Sequence, residues 1–157
     1  MFKWHSLSFG KSVHWMNDLI SFEDYLAHNG SMTYTNVGVS MLPLLRQGKD
    51  LFIVQKKETA RCKAGDVVLY RRGEQYVLHR IVEVREKEYV ILGDNCINRE
   101  YGISDNDILG VMTCFVRGGK EHSISETGYR LYSALWLYTE KPRVLLKRGK
   151  AWLKKHL

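Results

Sequence analysis

Only two prolines, Pro43 and Pro142, occur in the 157 residues, which excludes proline-rich linkers and long polyproline segments. Cysteine is as scarce: Cys62, Cys96 and Cys114 form an odd set with no Cys-x-x-Cys pair. Neither a disulfide framework nor a four-thiolate zinc site is indicated, and reduced thiols in a cytoplasmic setting are the expectation. Long apolar runs are missing too. The uncharged stretch 131–139 falls far short of the roughly 20 residues that cross a bilayer. Asp18, Glu23 and Asp24 interrupt the N-terminal aromatics before any signal-peptide core develops. The chain is therefore expected to be neither secreted nor membrane-spanning. His5, His14, His28, His122 and His156 lie in the flanks without metal-ligand spacing, so no metal or other cofactor is indicated. Gly118-Gly119-Lys120 lacks the spacing of a phosphate-binding loop, and there is no βαβ rhythm or internal repeat.

What is present is a globular composition, 45% apolar and 26% charged, with no room for extensive disorder. The net charge of +7 is unevenly placed: residues 128–157 hold 8 of the 24 basic side chains and 1 of the 17 acidic ones. A neutral body with a cationic tail argues against a nucleic-acid-binding core.

Three segments follow from pattern. Residues 1–32 read as a helical extension. Ser21 with Asp24 three residues on marks an N-cap, and Gly30 suits the position just past a short helix. Residues 33–120 read as short strands: Leu51-Phe52-Ile53-Val54, Val67-Val68-Leu69-Tyr70, residues 75–84, 89–92 and 108–116. A polar turn at Arg71-Arg72-Gly73-Glu74 makes a hairpin of the second and third. The fold class is mainly β, a small antiparallel coiled sheet or barrel. Residues 121–157 read as a basic amphipathic helical tail. Leu131, Leu135 and Tyr138 share one face, and after Pro142 so do Leu145, Gly149, Trp152, Leu153 and His156.

Three local features could carry chemistry. In Asn36-Val37-Gly38-Val39-Ser40-Met41-Leu42-Pro43 a glycine precedes a serine by two and a fixed-φ proline follows, a preset turn able to present a hydroxyl. Alternation along residues 76–82 sets His79 on one face with Val77 and Ile81, the place of a hydrogen-bonded core histidine or of a base. Gly93-Asp94-Asn95-Cys96 closes a strand and is followed by Arg99-Glu100. Each alone is an ordinary turn or core position.

Together, in order and spacing, these features resemble the signal peptidase I superfamily of serine peptidases, which includes the LexA-type self-cleaving repressors. The resemblance covers about residues 37–116. It rests on Val39-Ser40-Met41-Leu42-Pro43, on Ala64-Gly65-Asp66-Val67-Val68-Leu69-Tyr70, on Tyr76-Val77-Leu78-His79-Arg80-Ile81-Val82 and on Leu92-Gly93-Asp94-Asn95, closed by Leu109-Gly110-Val111. A histidine at position 79 is similar to the endoplasmic-reticulum and archaeal type, which uses histidine where bacterial enzymes use lysine. Histidine needs no deep desolvation to act as a base near neutrality.

The resemblance implies Ser40 as nucleophile, His79 as general base, and the Ser40 backbone N–H as oxyanion donor within a loop that includes Gly38, Met41 and Pro43. It places the orienting carboxylate at Glu100, with Asp94 as the other candidate. Gly38 stands where signal peptidases usually carry a serine, and Gly48-Lys49-Asp50 carries one residue more than the family's Gly-Asp. The membrane anchor that precedes the serine in signal peptidases is not read in this chain. The expected activity is serine endopeptidase cleavage of an extended peptide or pre-protein, with no cofactor. The alternatives are a non-catalytic peptide- or protein-binding member and a self-cleaving regulator. The tail reads either as a solvated face or as an interfacial helix in peripheral contact with anionic membrane; nucleic acid is not an expected partner.

Overall fold

In the computed structural model, residues 21–156 are described. The expectation of short N-terminal helices is met by one, α1 (Phe22–Asn29); the remainder of that extension, residues 1–20, lies outside the described residues. The Ser21 side chain accepts from the Asp24 N–H, and Gly30 closes the helix in the left-handed region at φ 71°. Leu26 carries α1 into the core.

Eight strands follow, all paired antiparallel. They are β1 (Ser31–Thr35), β2 (Leu51–Lys56), β3 (Val67–Arg72), β4 (Gln75–Val84), β5 (Tyr89–Leu92), β6 (Glu100–Ile103), β7 (Ile108–Arg117) and β8 (Lys120–Ser123). The order across the sheet is β1-β2-β7-β3-β4-β5-β6, and β8 pairs with the second half of β7. β1 and β6 are the outer strands and do not pair with each other, so the sheet is open; of the two forms expected, the barrel is not formed. Closure would need β1 to meet β6. Instead, register shifts at Ile53/Val54, Leu69/Tyr70 and Ile81/Glu83 coil the sheet without joining its ends.

Both faces of the centre are buried, which explains why β3 and β5 read as unbroken apolar runs rather than alternating ones. On one face Val54, Val67, Leu69, Leu78 and Met112 pack with Leu26 and with Met41, Leu44 and Leu45 of the loop after β1. On the other, Val68, Tyr70, Ile81, Tyr89 and Ile91 form a second cluster.

The C-terminal segment forms α2 (Thr127–Tyr138) and α3 (Glu140–His156). Pro142 does not break α3, because it sits in the first turn, where its missing N–H would be unsatisfied anyway. The helices are docked on the sheet by polar side chains. Arg80 donates to the Ser133 hydroxyl at 2.8 Å, Arg99 pairs with Glu140 at 2.6 Å, and Lys147 donates to the Asn95 backbone at 2.9 Å. No helix among the described residues is long and apolar enough to cross a membrane.

Candidate active site

The loop between β1 and β2 is fixed from below. Met41 and Leu45 are fully buried, while Asn36 donates its side-chain amide to the Gly38 and Leu45 carbonyls. Asp50, also fully buried, accepts from the Arg46 backbone and guanidinium and from Arg117 at 2.9 Å. Burial opposes its charge, but these hydrogen bonds hold the carboxyl well below the usual aspartate range. Arg117 in turn donates to the Pro43 and Leu44 carbonyls.

What this leaves on the surface is the stretch around Ser40. Val37 and Val39 are exposed, and Ser40 is half-buried. Among the described residues the Ser40 hydroxyl has no hydrogen-bond partner, and no backbone carbonyl accepts from its N–H. Gly38 lies at φ 89°, a left-handed conformation that favours glycine. Pro43 is exposed and contributes its carbonyl to the Arg117 brace.

His79 is a buried residue on central β4, opposite Val68 of β3. Its Nδ1 lies 3.2 Å from the Glu100 carboxylate of β6 and 3.2 Å from the Tyr70 hydroxyl. In the tautomer with the proton on Nδ1, which a carboxylate at that distance favours, the Nε2 lone pair is free. Arg72 donates to the same Glu100 oxygen at 3.1 Å and fixes it in place. Burial and the neighbouring carboxylate push the Tyr70 phenol up, so it stays protonated.

The Nε2 edge of His79 faces the Gly93-Asp94-Asn95 turn. A Cβ on Gly93 would come within 2.9 Å of Nε2 and 2.7 Å of the Cys96 sulfur, so only glycine fits. Two residues on, the Asn95 N–H donates to the Ser40 carbonyl at 2.7 Å and its side chain to the Val39 carbonyl at 3.1 Å. One short turn thus touches both the serine loop and the free edge of the imidazole.

Asp94 lies elsewhere. Its carboxylate takes two 2.8 Å hydrogen bonds from Arg80 and one of 2.9 Å from Tyr132. Arg80 and Asp94 are both almost wholly buried on the face that carries α2. Burial works against the guanidinium charge, but the Asp94 hydrogen bonds more than offset it. Of the two acids expected beside His79, the geometry brings Glu100 to the ring and gives Asp94 to the scaffold.

Comparisons with protein-family models, curated proteins and solved structures find no match.

Burial holds the His79 pKa below the ordinary histidine value, against a smaller opposite pull from Glu100. The ring is neutral at pH 7 and able to accept a proton. An NMR titration of His79 is expected to give a midpoint below 6.5. In Glu100→Gln the midpoint moves further down, because the charge favouring imidazolium is gone; an upward move would contradict the arrangement.

Sequence reasoning named Ser40, His79 and Glu100 but missed Tyr70, Arg72 and the Asp50–Arg117 brace. Only the apolar run Val67-Val68-Leu69-Tyr70 hinted at any of them, by marking Tyr70 as a buried strand position. The hollows on the surface do not mark the site. One of about 590 Å³, lined by Lys56, Arg71 and Asp107 among others, touches neither Ser40 nor His79. No group of three metal-ligating side chains occurs among the described residues.

Proposed function

We propose that the chain is a serine endopeptidase of the signal peptidase type, acting through Ser40 and His79 on an extended peptide or pre-protein in a reducing, cytoplasmic setting. The observation that supports it is the single turn in which Gly93 abuts His79 Nε2 while Asn95 holds the Ser40 carbonyl.

In this reading His79 Nε2 accepts the Ser40 Oγ proton as Oγ attacks the scissile carbonyl. Glu100 keeps the other ring nitrogen protonated and steadies the imidazolium. The free Ser40 N–H donates to the developing oxyanion. The imidazolium then returns its proton to the leaving amine, and water hydrolyses the acyl-enzyme by the reverse path. Among the described residues β1 pairs with β2 alone and runs directly into the serine loop, which suits a substrate added as a further strand. The exposed Val37 and Val39 flank it. A small residue before the cleaved bond is what the family resemblance implies.

A second reading, a non-catalytic peptide-binding member, is favoured by the unpartnered Ser40 hydroxyl. Catalytic hydrogen bonds are often loose before substrate arrives, so the two readings part in experiment. A fluorophosphonate probe is expected to label Ser40 in the wild-type chain, located by mass spectrometry, and to leave His79→Ala unlabelled. A folded wild-type chain that takes no label at Ser40 would select the binding reading.

A further inference from the structure

The side of α2 and α3 turned away from the sheet is apolar, exposed and bordered by lysine and arginine. The two helices abut at Thr139, where the last rung of one and the first rung of the other meet. Thr139 N–H bonds the Leu135 carbonyl at 2.9 Å and Arg143 N–H bonds the Thr139 carbonyl at 3.0 Å. The side chains that reach the sheet keep a spacing of three and four residues from one helix to the next. Ser133, Trp136, Glu140, Arg143 and Lys147 take the inner side, each hydrogen-bonded to the sheet or its loops.

The opposite side repeats at four and three: Leu131, Leu135, Tyr138, Pro142, Leu145, Gly149 and then Trp152. Leu131 is 67% exposed, Tyr138 88% and Leu145 72%. Leu146 and Leu153 widen the stripe. On a helical projection Arg130, Lys141, Arg148 and Lys155 border one edge and Lys150 the other, while Lys154, seven residues after Lys147, continues the inner side. Residues 148–155 are all exposed, so this end of α3 projects beyond the sheet.

We propose that this stripe seats the protein on an anionic lipid bilayer as an interfacial helix. An apolar stripe edged by cations is what such a surface takes up: leucines enter the acyl boundary, aromatics sit at headgroup level, and basic side chains meet lipid phosphate. A second copy of this chain fits less well. Self-association would bring rows of like charge together, and Pro142 and Gly149 leave gaps in a leucine seam. This inference does not depend on the peptidase reading.

The test is flotation of the full chain with phosphatidylcholine vesicles, with and without phosphatidylglycerol. Binding is expected only with phosphatidylglycerol, and weaker at high salt. L145E/L153E, at exposed positions and checked for an unchanged circular dichroism spectrum, is expected to lose about tenfold or more of that binding. K150E/K155E, one exposed lysine from each edge, is expected to lose a comparable share. Wild-type binding that is absent, or equal for both vesicle types, overturns the proposal, as does undiminished binding by L145E/L153E. A concentration-dependent dimer dissolved by the same substitutions, or capture of duplex nucleic acid in place of vesicles, overturns it too.

Discussion

Replacing Ser40 with alanine is expected to slow peptide hydrolysis by about 10³-fold or more, the loss typical of removing a nucleophile that works with a base. The readout is cleavage of a library of extended peptides followed by mass spectrometry. The melting temperature should move by no more than about 1–2 °C, because a half-buried hydroxyl without a partner contributes little to stability. His79→Ala should match it in rate. In the wild-type chain the rate rises with pH as His79 loses its proton, and its acid limb lies below the ordinary histidine value because burial lowers that pKa. A Ser40→Ala chain that cleaves as fast as wild type would assign the hydrolysis to another group.

The largest stability effect is expected at Asp94. Removing it in Asp94→Ala strands the Arg80 guanidinium, which is 1% exposed, inside the structure. Breaking one side of a buried pair costs about 3–5 kcal/mol. For a chain of this size that is a fall of roughly 10 °C in melting temperature, read by calorimetry. Arg80→Met/Asp94→Leu, which removes both charges, should recover a good part of it. Glu100→Gln should leave melting nearly unchanged while lowering the hydrolysis rate. If Asp94→Ala melted like wild type, the role of scaffold acid would be wrong.

Much of this was legible before the structure. The cores of five strands, the Ser21 cap and the Gly30 stop follow from local chemistry, because β-branched runs and capping side chains act within a few residues. β6 was not legible. Glu100-Tyr101-Gly102-Ile103 has glutamate and glycine where strands seldom do, and it is extended because β5 pairs with it across Tyr89 and Ile91. β8, Lys120–Ser123, is equally polar and depends on β7. At the site, the family resemblance, carried by order and spacing, pointed to Ser40, to His79 and to two acids, Glu100 and Asp94. Order and spacing could not show which acid reaches the ring, since that depends on how the turn at Gly93 wraps the end of the sheet. The tail was legible as helix, but Arg143 and Lys147 look like a solvated face in sequence. Their use as docking contacts arises only when carbonyls of the 94–95 turn lie beneath them.

His79 and Arg80 are neighbours on one strand, and the pleat sends them to opposite faces, one to Glu100 and the other to Asp94. A slip of β4 by a single residue would send each to the other face: with Arg80 in the place of His79 beside Glu100, Ile81 would stand where Arg80 now meets Asp94. Arg80 cannot make its two bonds to Asp94 in the slipped register, so the helices would lose their seat in the same event that removes the base. Misthreaded chains are therefore expected to be visibly misfolded and exposed to quality control, not to persist as folded but inactive copies.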